Sequence, residues 1–179
     1  MKRILLGISG SVAAVKAPEL VRLFLVKGHK VNCLLTESAP QFVSPLVLST
    51  FCGEKVISNL FGEEAYTMPH LEWANQADAF VVAPASATLL ARMAFGLAED
   101  MVSLTYLNVT APVLIAPAMH DTMWNHPATQ ASVKILKERG AVFVGPLQGR
   151  LADQTSADGR MADPEEIVRA AESLLGKTK

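Results

Sequence analysis

Residues 1–35, MKRILLGISGSVAAVKAPELVRLFLVKGHKVNCLL, decide the fold class. Ile4–Ile8 and, apart from Asn32, Val31–Leu35 are short runs that stay apolar instead of alternating with polar residues, as strands buried on both faces do. Between them, from about Ala13 to Lys27, Val15, Leu20, Phe24 and Leu25 return near helical spacing, and Gly28 stands where a helix C-terminus is capped. Strand, helix, strand within so short a span is a βαβ unit, in which the helix carries the chain back so that the second strand runs parallel to the first.

The alternation continues downstream. Ala79–Val82, Val113–Ala116 and Val142–Val144 read as further buried strands; the segment from Ala128 to Arg139, closed by Gly140, reads as a helix, and a last helix runs from about Pro164 to Leu175. Together they predict one α/β domain over residues 1–179 with a doubly wound, mostly parallel sheet, a three-layer sandwich of the Rossmann or flavodoxin-like kind. Right-handed crossovers then gather the strand C-termini at one edge, where such sheets bind ligands.

Composition narrows the function. With 179 residues, half of them hydrophobic, the chain can bury one continuous core. Its 16 basic and 17 acidic residues leave no field for a polyanion, so nucleic acid is not an expected partner. The apolar opening breaks at Gly7 and Gly10, too soon for a signal-peptide core or a membrane span, and a cytoplasmic protein without membrane attachment is expected. Cys33 and Cys52 form no CxxC or Cys/His pair, and His120 and His126 do not have i,i+4 spacing, so free thiols and no metal are expected.

The glycine–serine segment GISGSVAAVKAPE follows the first strand. It offers backbone N–H groups at a helix start, the Ser9 and Ser11 hydroxyls, and a Gly10 that admits close approach, which suits a phosphate. A serine-capped turn with no ligand has the same residues. The segment is neither GxGxxG nor a Walker loop, so a mononucleotide is favoured. LLTES and VVAPASA bring Thr36, Ser86 and Thr88 to the same edge, as ribityl or phosphate contacts or as ordinary caps. His70 begins a short helix. It reads either as a surface residue or as a base, since imidazoles exchange protons near neutrality. APAMHDTMWNHPATQ, after the fourth strand, reads as a lid or binding loop, or as a Met/Trp cluster packing that loop down.

In order and spacing, the segments GISGSVAAVKAPE, HLEWANQADAFVVAPASA, LAEDMVS, APAMHDTMWNHPATQ and GRLADQTSADGRMADPEEI resemble the flavin-dependent cysteine decarboxylases, which include phosphopantothenoylcysteine decarboxylase of coenzyme A biosynthesis. The resemblance implies an FMN flavoprotein, assembled as a homotrimer or an assembly of trimers with the flavin between subunits, acting on a small-molecule or peptidyl cysteine. It assigns Gly10 and Ser11 to the phosphate loop; Thr36, Pro84, Ala85, Ser86, Thr88 and Ser103 to the cofactor; His70 to catalysis; and Ala118, Met119 and Met123 to the substrate. The implied chemistry oxidises the CH₂–SH carbon to a thioaldehyde, whose C=S accepts the electron pair left by departing carbon dioxide.

Three departures from the family pattern fall on chemistry. Thr88 replaces the asparagine of PASANT. His120, a candidate catalytic residue, replaces an asparagine that holds the substrate carboxylate; a histidine could bind a carboxylate if protonated, but its ring nitrogens do not present a donor and an acceptor side by side as an amide does. The flap motif LACG reads Leu151, Ala152, Asp153, Gln154, so Asp153 stands at the position of the thiol that serves the reductive half-reaction. An oxidative decarboxylase that stops at the enethiol needs no such thiol. The alternatives are a flavin prenyltransferase, disfavoured by the PAM-xxxMW loop and by few basic residues in the loops that can be placed, and a non-catalytic FMN-binding regulatory subunit.

Overall fold

The computed structural model describes residues 1–61, 68–150 and 156–177. Six strands form one sheet in the order β3-β2-β1-β4-β5-β6, every neighbouring pair parallel. They are β1 (Arg3–Ile8), β2 (Lys30–Leu35), β3 (Val56–Ile57), β4 (Ala79–Ala85), β5 (Val113–Pro117) and β6 (Val142–Phe143). This is the doubly wound order, with β1 and β4 side by side in the middle and crossovers leaving them in opposite directions.

Helices cover both faces. On one side α1 (Ala17–Val26), α2 (Pro45–Cys52) and α8 (Pro164–Lys177) set Leu20, Phe24, Leu48 and Ile167 against Ile4, Leu6 and Ile8. On the other, α4 (Ala87–Phe95), α5 (Met101–Tyr106) and α7 (Pro127–Glu138) set Leu90, Met93, Val102 and Leu136 against Leu5, Phe80 and Ile115. Side chains of β1 thus alternate between two cores, which is why the strand is apolar throughout. Each such leucine-sized burial contributes about 1.5–3 kcal/mol.

Gly7 sets how close one helix comes. A Cβ there would lie 2.7 Å from Val102 Cγ1 and 3.2 Å from the Phe80 ring, so the absent side chain lets α5 press onto β1. Another helix, α3 (Pro69–Gln76), packs on α5. The expected glycine caps are present: Gly28 and Gly140 have φ of +81° and +90°, which side chains of L residues rarely tolerate.

Three readings change. The helix expected from Ala13 begins as a 3₁₀ turn, Val12–Lys16, and becomes α-helical only at Ala17, because Pro18 has no N–H to continue a helix but fits its first turn. β4 runs on to Ala85. A separate antiparallel hairpin, β7 (Leu147–Arg150) and β8 (Ser156–Arg160), has too few apolar residues to show as strands in the sequence. Among the described residues no helix is long and apolar enough to cross a membrane. Cys33 is buried, Cys52 half-buried, and both are free.

Candidate functional site: a cleft at the switch point of the sheet

β1 and β4 end side by side, and Ser9 joins them. Its N–H and its hydroxyl both donate to the Pro84 carbonyl, at 3.1 and 2.8 Å, and its Oγ accepts the Ser86 N–H at 2.8 Å. At 1 % exposure Ser9 has donor and acceptor engaged, so the phosphate contact expected of its hydroxyl gives way to a structural role. Pro84 and Ala85 are buried in β4, and the Ala85 carbonyl accepts the Ala118 N–H at 3.0 Å, tying in the end of β5.

Beyond the stitch, hydroxyls gather around a glycine. A Cβ on Gly10 would stand 2.8 Å from the Ser38 Cβ, so only glycine lets the loop after β1 lie against the end of β2. Thr36 Oγ1 is 3.3 Å from Ser38 Oγ. Ser11 accepts the Ala13 N–H and starts the 3₁₀ turn, while Ser86 accepts the Leu89 N–H and starts α4, both at 3.3 Å. Thr88 is exposed on the first turn of α4. Ser103 is 1 % exposed, and its hydroxyl bonds Asp100 in the capping box of α5. This capping is what the structure shows for Ser103.

A cleft of about 480 Å³ opens next to Ser11. Ala118, Met119 and Met161 give it apolar walls, His120 a polar edge, and Lys16, Arg150 and Arg160 a basic rim. β8 holds the Ala118–His120 segment in place: the Met119 N–H donates to the Gly159 carbonyl at 3.1 Å, and a Cβ on Gly159 would collide with the Met119 carbonyl. The loop expected here is largely helical, with α6 (Asp121–Trp124) followed at once by α7, and His126 capping α7 through Nδ1.

His120 caps α6. Its Nδ1 lies 2.7 Å from Asp121 Oδ1 and 3.0 Å from Thr122 Oγ1, but 3.4 Å from the Thr122 N–H, which itself reaches Asp121 Oδ1 at 2.8 Å. These contacts fix the ring orientation, and the tautomer sets whether Nδ1 accepts from Thr122 as a cap or donates to Asp121.

At the rim, Asp163 Oδ1 accepts from Arg160 Nη1 at 2.6 Å and from Lys16 Nζ at 3.1 Å, and Oδ2 accepts from Arg160 Nη2 at 3.2 Å. These bonds, the Arg160 pair first, hold the Asp163 carboxyl below the usual carboxylate range.

Of the expected site residues, the cleft brings together Ser11, Ala118, Met119 and His120, with Gly10, Thr36 and Ser86 at the neighbouring strand ends. Met123, 49 % exposed on α6, and His70, half-buried at the start of α3, do not line it. Asp153 and Gln154 lie outside the described residues. Sequence reasoning missed Ser38, Lys16, Arg150 and Arg160. Lys16 stands in the quoted glycine–serine segment, and the arginines bracket the flap motif, but only the folded hairpin shows that they converge. Their convergence removes the scarcity of basic residues as an objection to a prenyl-phosphate site.

The family described as Flavoprotein matches residues 1–176. The coenzyme A biosynthesis bifunctional protein CoaBC of Mycobacterium tuberculosis is 44% identical over 174 residues, which cover 97% of this chain and 41% of that protein. The corresponding protein of Escherichia coli is 42% identical over 171 residues, 95% of this chain and 42% of that protein. The chain therefore spans about four tenths of the length of these curated relatives. Among solved structures, a PPC decarboxylase mutant complexed with pantothenoylaminoethenethiol superposes with a TM-score of 0.87 at 30% identity, covering 98% of this chain and 99% of that one. The FMN-dependent cysteine decarboxylase TvaF from thioviridamide biosynthesis gives 0.84 at 26% identity, covering 99% of each chain. A family match over residues 1–176 and a shared fold agree: this chain belongs to the Flavoprotein family, with the flavin-dependent cysteine decarboxylase-like proteins.

Proposed function

We propose that this chain binds FMN at the switch point of its sheet and oxidatively decarboxylates a cysteine-derived carboxylate. The observation that carries the reading is the convergence of a side-chain-free Gly10, the hydroxyls of Ser11, Thr36, Ser38 and Ser86, and an apolar cleft at the ends of β1, β2 and β4. These groups fit a mononucleotide. Gly10, Ser11 and Ser38 would hold the phosphate, Thr36 and Ser86 the ribityl hydroxyls, and Pro84 and Ala85 would form a wall. When bound, FMN supplies a two-electron acceptor, which gives the carbon beside the carboxylate its electron sink.

The chain's own residues do the rest. Ala118, Met119 and Met161 keep water from the reacting carboxylate, and His120, oriented by Asp121, would receive that carboxylate when protonated. His70 would take the thiol proton. Because His70 does not line the cleft of its own chain, the site would be completed by a neighbouring copy in a homotrimer. Asp153 offers no thiol, so the enethiol would be the product. The reading places the enzyme in the cytoplasm and leaves a small molecule or a peptide as the source of the cysteine.

The test is to incubate the purified protein with phosphopantothenoylcysteine and with a cysteine-ended peptide, following product mass and flavin colour. Flavin bleaching with release of carbon dioxide and an enethiol supports the reading; absence of decarboxylation with both substrates would favour a binding role. His70→Asn should keep FMN and lose decarboxylation, and unchanged activity would remove His70 from the mechanism. The basic rim favours a second reading, a flavin prenyltransferase, in which added dimethylallyl phosphate would change the spectrum of the bound flavin.

A further inference from the structure

Asp163 stands where an N-cap residue would: its carbonyl accepts the Glu166 and Ile167 N–H groups that open α8, at 2.9 and 3.1 Å. A capping aspartate ordinarily turns its carboxylate onto the first helical N–H groups. Here, among the described residues, the carboxylate accepts instead from Arg160 and Lys16, and Glu166 reaches back to the Asp163 N–H at 3.2 Å. The diversion joins four parts of the molecule. Lys16 ends the 3₁₀ turn that follows Ser11, Arg160 ends β8, and Asp163 heads α8. The fourth is β7: a Cβ on Gly149 would lie 2.7 Å from Arg160 Nε, so the Arg160 side chain runs across that strand where a side chain is missing. Lys16, Arg160 and Gly159 all line the cleft.

We propose that Asp163 is a positioning residue, a latch that holds the β7–β8 hairpin to the turn after the phosphate loop and so sets the width of the substrate cleft. The inference rests on the proposed decarboxylase reading for its kinetic consequence but not for its mechanical one. A two-stranded hairpin has little stability of its own in water, so its position depends on such ties. The latch is partly exposed, so salt weakens it.

The experiment uses the flavin-loaded full chain and two variants with different chemistry. Asp163→Asn removes the charge, and Gly149→Ala keeps the charge but crowds Arg160. Both should speed hydrogen exchange and proteolysis within residues 147–150 and 156–160 and leave flavin content unchanged. Raised salt should loosen the wild-type hairpin and leave that of Asp163→Asn unaffected. With the decarboxylation substrate, KM should rise about three- to tenfold at nearly constant kcat, the size that a partly exposed charge network supports, and Asp163→Glu should recover part of it. Hairpin protection equal to wild type in both variants would overturn the latch, as would equal loss of kcat in Asp163→Asn and Asp163→Glu. If no substrate is turned over at all, the exchange and proteolysis readouts still decide the latch, so the two proposals fail separately.

Discussion

Replacing Ser9 with alanine should cost stability more than it costs flavin affinity. Oγ makes two bonds, one donated to the Pro84 carbonyl and one accepted from the Ser86 N–H, both 2.8 Å long. Ser9→Ala leaves the Pro84 carbonyl with the Ser9 N–H at 3.1 Å, so that side loses one net hydrogen bond, about 1 kcal/mol. The Ser86 N–H is left without its partner, and because Ser86 is half-buried the cost lies near the lower end for an orphaned donor, about 1 kcal/mol. The sum, about 2 kcal/mol, corresponds to roughly 4–8 °C in Tm for a domain of this size. The assay is thermal unfolding at fixed excess FMN, since a bound ligand adds stability by mass action, together with FMN titration of the apoprotein. A Tm change under about 1 °C with a collapse of FMN affinity would refute the stitch and return Ser9 to the phosphate site.

Gly10→Ala should act in the opposite sense, because the new Cβ would sit 2.8 Å from the Ser38 Cβ and force the loop off the end of β2; purified protein should come out colourless or need far more FMN to saturate, and full flavin occupancy would refute the cradle. Cys52 should be alkylated at a rate that rises through about pH 7, since the hydrogen bond from Cys33 lowers its pKa to about 7, whereas buried Cys33 stays unreactive in the folded protein. Cys33→Ala removes that donor and should move the profile to higher pH; an unmoved profile would show that Cys33 does not activate Cys52.

The layers of the fold were legible because both faces of the sheet are covered: a strand with a core on each side is apolar nearly throughout, as Ile4–Ile8 is and Val31–Leu35 is but for the buried Asn32. The glycine caps at Gly28 and Gly140 were legible for a similar reason, a backbone demand that few residues meet. The hairpin was not, since Gln148, Gly149, Asp158 and Gly159 have neither alternation nor β-branched residues. Within the site, the sequence pointed to the right loops but not to the side chains that remain available. Ser9, Ser11 and Ser103 look equivalent as letters; the folded chain assigns Ser9 to a strand junction and Ser103 to a helix cap, and leaves Ser11 facing the cleft. Hydrogen-bond partners far apart in sequence make that difference. The basic rim was hidden for the same reason, since Lys16 and Asp163 meet across more than a hundred residues.

The missing side chain at Gly7 reaches further than its own contacts. It lets α5 settle on β1, and α5 is the surface on which α3, the helix that begins with Pro69 and His70, rests. A single added methyl group in the first strand would have to displace Val102, then the helix that carries it, and then the support of an imidazole more than sixty residues away. The position of His70 is therefore tied, through α3 and α5, to the room that Gly7 leaves on the first strand.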